Sequence, residues 1–369
     1  MKVLFIANVP SPYRVEFFNK LSEYCDLTVI YERSAASDRH SNWKAKSNNK
    51  YKEIILNSIN ISNDSSISLG AIKHIKNNNY DIIVSGVYHT ITSMLTILYM
   101  YSKGINFVLN TDGGFIKSDS KIKYMLKKFF ISKATWYLSP SDMSDKYLMY
   151  YGAKEKTIYR YPFTSISKEE IMKETLSEYE KEQLKKELEI KEENIIITVG
   201  QIIPRKGIDV LLNAMKNIKQ DIGVYIIGGD ITKEYKEIIE KYELKNIYFE
   251  GFKTKEELEK YYKIADIFIL PTREDIWGLV INEAMAKGLP IITTDRCNAG
   301  IELIENGING FIVKTNNPNE IKVKIEEIIE DENLKNNIQK NNLYKINKYT
   351  IEEMASVHYK IFKNIVNNN

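Results

Sequence analysis

Short apolar runs alternate with longer amphipathic segments along most of the chain, the pattern of a parallel sheet covered on both faces by helices. In the first half, 2–7, 27–31, 80–85 and 106–110 have the length and apolar content of buried strands. Helical spacing occupies 14–23 and 68–76, and Asn77-Asn78-Asn79 reads as the loop that ends the second helix. The alternation pauses after Tyr161-Pro162-Phe163. From 165 to 193 the chain is charged and helical, with Glu and Lys dense over 178–189, a composition that no deep-core strand accommodates. A second alternation then begins. Strands are expected at 194–199, 223–227, 246–250, 267–270, 290–293 and 310–313, helices at 208–217, 233–242 and 279–287, and a last helix at 351–366. The predicted organisation is therefore an N-terminal Rossmann-like domain, 1–164, and a connecting segment, 165–192. A second Rossmann-like domain, 193–347, follows, and then a closing helix, 348–369. Two doubly wound α/β halves in tandem predict a cleft where the strand C-termini meet.

Composition removes several alternatives. The 369 residues suffice for two domains with real cores, and 43% hydrophobic with 27% charged residues excludes an intrinsically disordered chain. Fifty-two basic residues nearly balance 49 acidic ones, so a net charge of +3 argues against a nucleic-acid partner. Cys25 and Cys297 lie too far apart in sequence for a disulfide framework or structural zinc site, which fits a reducing, cytoplasmic setting. The apolar run at 3–6 is too short for a signal peptide core and reads as a first buried strand. The stretch 92–101 falls below the ~18 residues a spanning helix requires.

Two segments of the second half carry candidate chemistry. Val199-Gly200-Gln201-Ile202-Ile203-Pro204-Arg205-Lys206-Gly207 follows a buried strand and opens a helix. Free backbone N–H groups there, with Arg205 and Lys206, suit a diphosphate, although a strand-to-helix turn with solvated cations has the same pattern. Pro271 to Ala286 also runs from strand to helix. Gly278 permits close backbone approach, and Asp275 and Glu283, seven residues apart, are spaced to hold different hydroxyls of an extended polar ligand. A helix cap with a solvated Glu is the alternative.

Taken together, these segments resemble the donor-binding half of family 4 glycosyltransferases, whose signature is G-R-L-x-x-x-K-G followed by E-x7-E within E-x-F-G-L-x-x-x-E-A-M-A. Gly200, Lys206 and Gly207 match the first motif, and Gly278, Leu279, Glu283, Ala284 and Met285 the second, with Asp275 at its first acidic position. The likeness continues through Gly251-Phe252, Ala265-Asp266, Gly288-Leu289-Pro290, Glu302 and Asn309-Gly310. It implies the GT-B fold, two Rossmann-like domains facing across a cleft, with 1–164 on the acceptor side, 193–347 binding the nucleotide sugar and the helix of 348–369 packing back towards the N-terminal domain. By resemblance, Lys206 pairs with the donor diphosphate, Glu283 accepts hydrogen bonds from the ribose, and Asp275 holds hydroxyls of the transferred sugar. Backbone N–H groups near Gly278 and Leu279 meet the distal phosphate, and the base rests against Gly251-Phe252-Lys253. Metal and cofactor are expected to be absent, the nucleoside diphosphate sugar being the donor substrate. Gln201 stands where the family has a diphosphate-binding Arg, and Asp275 replaces a Glu. Arg205 is then a candidate to reach back with the missing charge, and Glu274 to compete with Asp275.

In the N-terminal half the loop after the first strand, Pro10-Ser11-Pro12-Tyr13-Arg14, is stiffened by two prolines. Arg14 is either a charge contact or a surface residue that starts a helix. Asp112, in Thr111-Asp112-Gly113-Gly114, either contacts sugar or acceptor or closes an Asx-type turn. His89 either touches acceptor or sits in a loop. Residues 117–133 hold six lysines against Asp119, interleaved with Tyr124, Met125, Leu126, Phe129, Phe130 and Ile131. That composition fits either an anionic membrane surface, hence a peripheral protein on the inner face of the cell membrane, or a helix packed on its own domain.

The expectation is a retaining hexosyltransferase acting on a carbohydrate or lipid-linked acceptor in surface polysaccharide or lipid-linked glycan synthesis. An inactive transferase-like scaffold, or a nucleotide-sugar epimerase of the same fold, are the alternatives. The Asp275-to-Glu283 segment favours a transferase over the epimerase.

Overall fold

The computed structural model describes residues 1–35, 49–61, 65–216, 218 and 220–368. They form two compact units, Met1–Ser165 with Tyr349–Asn369, and Ile166–Lys348.

In the first unit the strands are β1 (Lys2–Ala7), β2 (Asp26–Tyr31), β3 (Lys52–Ile55), a short antiparallel pair β4 (Ile59–Asn60) and β5 (Ser66–Ile67), β6 (Ile82–Ser85), β7 (Val108–Asn110), β8 (Trp136–Ser139) and β9 (Ile158–Arg160). The described residues order them β3-β2-β1-β6-β7-β8-β9 in one parallel sheet. Between them run α1 (Pro12–Leu21), α2 (Gly70–Asn77), α3 (Ile91–Ser102), α4 (Lys121–Ile131) and α5 (Asp142–Tyr150). β1 is apolar from Val3 to Ala7 because helices cover both its faces, and its side chains are buried throughout. Thr90, Ser120 and Ser141 each accept a hydrogen bond from the backbone N–H three residues on, which sets where α3, α4 and α5 begin.

The second unit repeats the plan. β10 (Asn194–Val199), β11 (Ile222–Ile227), β12 (Ile247–Phe249), β13 (Ile267–Leu270), β14 (Ile291–Thr294) and β15 (Gly310–Val313) form a parallel sheet ordered β12-β11-β10-β13-β14-β15. Its helices are α6 (Glu178–Glu187), α7 (Ile208–Ala214), α8 (Lys233–Lys241), α9 (Lys255–Ile264), α10 (Leu279–Met285), α11 (Asn298–Leu303), α12 (Pro318–Glu330) and α13 (Glu332–Ile346). The predicted end of the helix over 208–217 lies outside the described residues, and the helix itself closes at Ala214. The charged stretch is built into this unit. α6 packs beside α9, and Lys181 reaches the buried Asp266 at 2.6 Å while Lys260 meets Glu187 at 2.5 Å.

After α13 the chain returns to the first unit as α14 (Ile351–Asn367), which packs along α1 and buries Met354, His358 and Phe362. Five strands have no counterpart in the sequence reading, the two-residue pair β4 and β5 and the strands β3, β8 and β9. β3 and β9 are edge strands of four and three residues with little buried side chain, and β8 is a four-residue strand led by a half-buried Trp. Runs that short carry too little periodicity to stand out.

Candidate functional site

Four loops of the second unit emerge at the C-terminal ends of β10 to β13, the edge where open parallel sheets bind ligands. Three of them are stitched together by backbone. Gly200 N–H donates to the Ile227 carbonyl at 2.9 Å, and Gly228 N–H donates to the Gly251 carbonyl at 2.7 Å. Gly228, at φ +128°, lies so close to its neighbour that a Cβ would stand 2.3 Å from the Gly200 carbonyl oxygen. The Gly228-Gly229-Asp230 turn is thus a packing element of this edge.

The loops after β10 and β13 meet at Lys206 and Asp275. Lys206 Nζ donates to Asp275 Oδ2 at 2.6 Å, and both side chains are largely shielded from solvent. Gly207 makes the approach possible. It adopts φ +70°, and any Cβ there would fall 2.1 Å from the Pro271 carbonyl oxygen. Around it, Arg273 N–H donates to the Arg205 carbonyl at 2.8 Å, Thr272 Oγ1 donates to the same carbonyl at 3.0 Å, and the Arg273 guanidinium grips Asp209 at 2.5 and 2.9 Å. Asp275 is fixed from the other side. Its N–H donates to the Arg296 carbonyl, and its own carbonyl accepts from Asn298 N–H at 3.2 Å.

The two candidates for repairing the motif's departures are engaged elsewhere. Arg205 donates to the Glu274 carbonyl at 2.6 Å and stands 3.9 Å from Asp275 Oδ1, so its charge serves Asp275. Glu274 turns to Arg296 at 3.2 Å and leaves the acidic position to Asp275. Glu283, in the second turn of α10, accepts from the Tyr262 hydroxyl at 3.1 Å. Burial, and then the Glu283 carboxylate, push the Tyr262 phenol well above its ordinary pKa, so it remains a donor. Gly278 caps α10, and Leu279 is its first residue, in a helix of seven residues. Phe252 is exposed in the turn after β12, and Lys253 pairs with Glu250 at 2.9 Å. Gln201 follows Gly200 on the same loop and is half-buried.

In the first unit, Arg14 and Asp112 are partners rather than separate contacts. Arg14 Nη2 lies 2.6 Å from Asp112 Oδ2, to which the Tyr13 hydroxyl also donates at 3.3 Å. Burial alone would lower the Arg14 pKa, but Asp112 and the Tyr13 and Tyr161 hydroxyls carry it above its usual value. Asp112 Oδ1 is buried and has no hydrogen-bond partner among the described residues. His89 is exposed, its ring 5.6 Å from that of Tyr88.

Sequence reasoning missed Tyr262, Arg296 and Cys297. Cys297 is buried, bridges Asp275 across the backbone and has its thiol pushed up to about 12, by burial first and then by Asp275. No local signal marks these residues, because each reaches the site through a distant pairing. Among the described residues no group of three His, Cys, Asp or Glu is arranged to hold a metal, and no helix is long and apolar enough to cross a membrane.

Two Rossmann-like units with this loop edge are the architecture of GT-B glycosyltransferases. Residues 180–343 match the model of Glycosyl transferases group 1. An uncharacterised glycosyltransferase of Methanocaldococcus jannaschii is 33% identical over 146 residues, which are 39% of this chain and 41% of that protein. The chain spans about two fifths of the length of the first curated relatives it matches. The N,N'-diacetylbacillosaminyl-diphospho-undecaprenol α-1,3-N-acetylgalactosaminyltransferase of Campylobacter jejuni is 22% identical over 304 residues, 80% of each chain. Among solved structures, Anabaena HepE in complex with UDP superposes with a TM-score of 0.78 at 16% identity, all of both chains being covered, a likeness of fold.

Proposed function

We propose that the protein is a retaining glycosyltransferase that moves a hexose from a nucleoside diphosphate donor to an acceptor hydroxyl, in the synthesis of a surface polysaccharide or a lipid-linked glycan. The observation that carries this is the Lys206–Asp275 pair at 2.6 Å on the loop edge of the second sheet. Without donor, each charge neutralises the other. A diphosphate entering beside Gly200 competes for Lys206, and the released Asp275 then accepts hydrogen bonds from sugar hydroxyls. Binding thus rearranges charge inside a shielded site, where electrostatic effects on a departing phosphate are largest. α10 has seven residues, so its dipole is small and Lys206 supplies most of the stabilising charge, with no metal or cofactor.

Glu283, held by Tyr262, is oriented for a ribose hydroxyl; Gly278, Leu279, Phe252 and Lys253 frame the phosphate and base. On the first unit, the unpartnered Asp112 Oδ1 suits an acceptor hydroxyl, with Arg14 holding the carboxylate and His89 exposed on a neighbouring turn. Once the donor has drawn Lys206 away, Asp275 is taken up by sugar hydroxyls and is not free to attack the anomeric carbon. We therefore favour a front-face route, in which the departing phosphate accepts the acceptor's proton. The relatives support the class: one is named for transfer to a diphospho-undecaprenol-linked acceptor, and one fold neighbour holds UDP.

Thermal shift against UDP-, GDP-, ADP- and CMP-linked sugars tests the reading. One nucleotide class should stabilise the wild type, and the shift should vanish in Lys206→Ala and shrink in Glu283→Ala. Stabilisation by no donor would sink it. An inert scaffold is the competing reading, favoured by Gln201 at the Arg position, and release of nucleoside diphosphate only when acceptor is added distinguishes the enzyme from it.

A further inference from the structure

α4 buries Phe130 and Ile131 against its own unit and turns a second apolar stripe outward. Ile122, Met125, Leu126 and Phe129 are 74%, 58%, 48% and 43% exposed. Spaced i, i+3, i+4, i+7, they form one stripe within roughly a 100° arc of the helix. The opposite face carries the charge inward. Lys127 Nζ donates to Asp119 at 2.7 Å, Tyr151 donates to the same carboxylate, and the Asp119 side chain is only 3% exposed. These bonds to Lys127 and Tyr151 hold its carboxyl down to about 2. A water-facing helix normally orders these residues the other way round, because an exposed apolar stripe gains nothing from water.

The surroundings say what covers the stripe. Lys121 and Lys128 flank it on one side and Lys123 on the other, all exposed. Asp119, the single acid in 117–133, is sealed beneath. Aromatic rings extend the patch. Exposed Tyr101 lies 3.9 Å below Lys133 Nζ, the Phe129 ring 4.7 Å from the same ammonium, and exposed Tyr150 packs edge-on against Tyr124. Apolar side chains in the centre, tyrosines around them and cations at the margin match the layered chemistry of a lipid interface: acyl chains, then headgroup boundary, then phosphate. A protein partner would need acids to answer the lysines at their positions, whereas an anionic headgroup layer supplies them everywhere.

We propose that the solvent face of α4 lies in the surface of an anionic bilayer, with Ile122, Met125, Leu126 and Phe129 entering the acyl boundary and the flanking lysines on lipid phosphates. The proposal stands on the first unit alone and does not depend on the donor chemistry of the second.

Flotation of the full chain with vesicles of phosphatidylcholine, with and without phosphatidylglycerol, tests it. The wild type should float with the anionic vesicles and less as salt is raised. Lys121→Gln with Lys123→Gln and Lys128→Gln should weaken partitioning roughly a hundredfold. Ile122→Ser with Met125→Ser should abolish flotation while leaving the thermal melt and nucleotide response unchanged, since these are the two most exposed side chains of the stripe. Leu126→Trp should show a blue-shifted emission on anionic vesicles only. Wild-type protein that stays unbound on anionic vesicles at low salt overturns the proposal. So does a self-association lost in the serine variant while vesicles have no effect, which would make a second copy the occupant.

Discussion

Gly207 is where a single methyl group does most harm. Its φ of +70° is one that L side chains rarely adopt, and a Cβ would sit 2.1 Å from the Pro271 carbonyl oxygen. Gly207→Ala should therefore destabilise the protein by about 3 kcal/mol or more in urea unfolding, through strain and forced displacement together. It should also separate Lys206 from Asp275. Two buried titrating groups of the first unit should give opposed pH dependences. His358 is sealed among Phe17, Tyr161 and Phe362, donates Nδ1–H to the Met354 carbonyl at 2.7 Å, and burial lowers its pKa to about 4. Below about pH 6.5 the unfolded chain takes up a proton that the folded ring refuses, so stability falls with pH down to about 4, by about 3 kcal/mol in all. Glu32 is fully buried, accepts from Thr90 at 2.8 Å and is raised by burial to about 7. There the folded state takes the proton first, so stability rises as pH falls from 7 to about 4.5, by a similar amount. In urea unfolding over this window, His358→Phe should gain stability relative to wild type as pH falls, and Glu32→Gln should lose it. Parallel curves for all three proteins would refute both assignments.

Elements were legible to the extent that their burial was complete. β1, β10, β13 and β15 stand where their unbroken apolar runs predict, because a strand covered on both faces has no polar alternation to blur its ends. β3 exposes most of its side chains at the sheet's edge, and its sequence reads like loop. The site divides in the same way. Lys206, Asp275 and Glu283 were singled out as candidates by their two segments and the family resemblance, whereas Tyr262 on α9 and Arg296 after β14 meet them only through the fold. α14 was readable as a helix, and its partner α1 supplies its purpose. Phe362 is fully buried there, so Phe362→Ala should cost about 3 to 5 kcal/mol in equilibrium unfolding of the whole chain, the usual range for a core aromatic.

At the scale of the whole molecule the proposed function puts the donor on the second unit. Donor nucleotide should slow amide exchange in the loops after β10, β11 and β12, where Gly200, Gly228 and Gly251 join backbone to backbone, and leave the core of the first sheet unchanged. At a nucleotide concentration a hundredfold above Kd, protection should approach roughly 2.7 kcal/mol. Protection spread evenly over both sheets would contradict a donor site carried by the second unit. The first unit has a history that its finished form conceals. It is assembled from the two ends of the chain, Met1–Ser165 and Tyr349–Asn369, while the second unit is one unbroken segment. On the ribosome, the surface of α1 that receives α14 must therefore stay uncovered while the entire second unit is made. The later domain can complete itself first, and the earlier one must wait for the last helix, in the interval when chaperones have most reason to hold it.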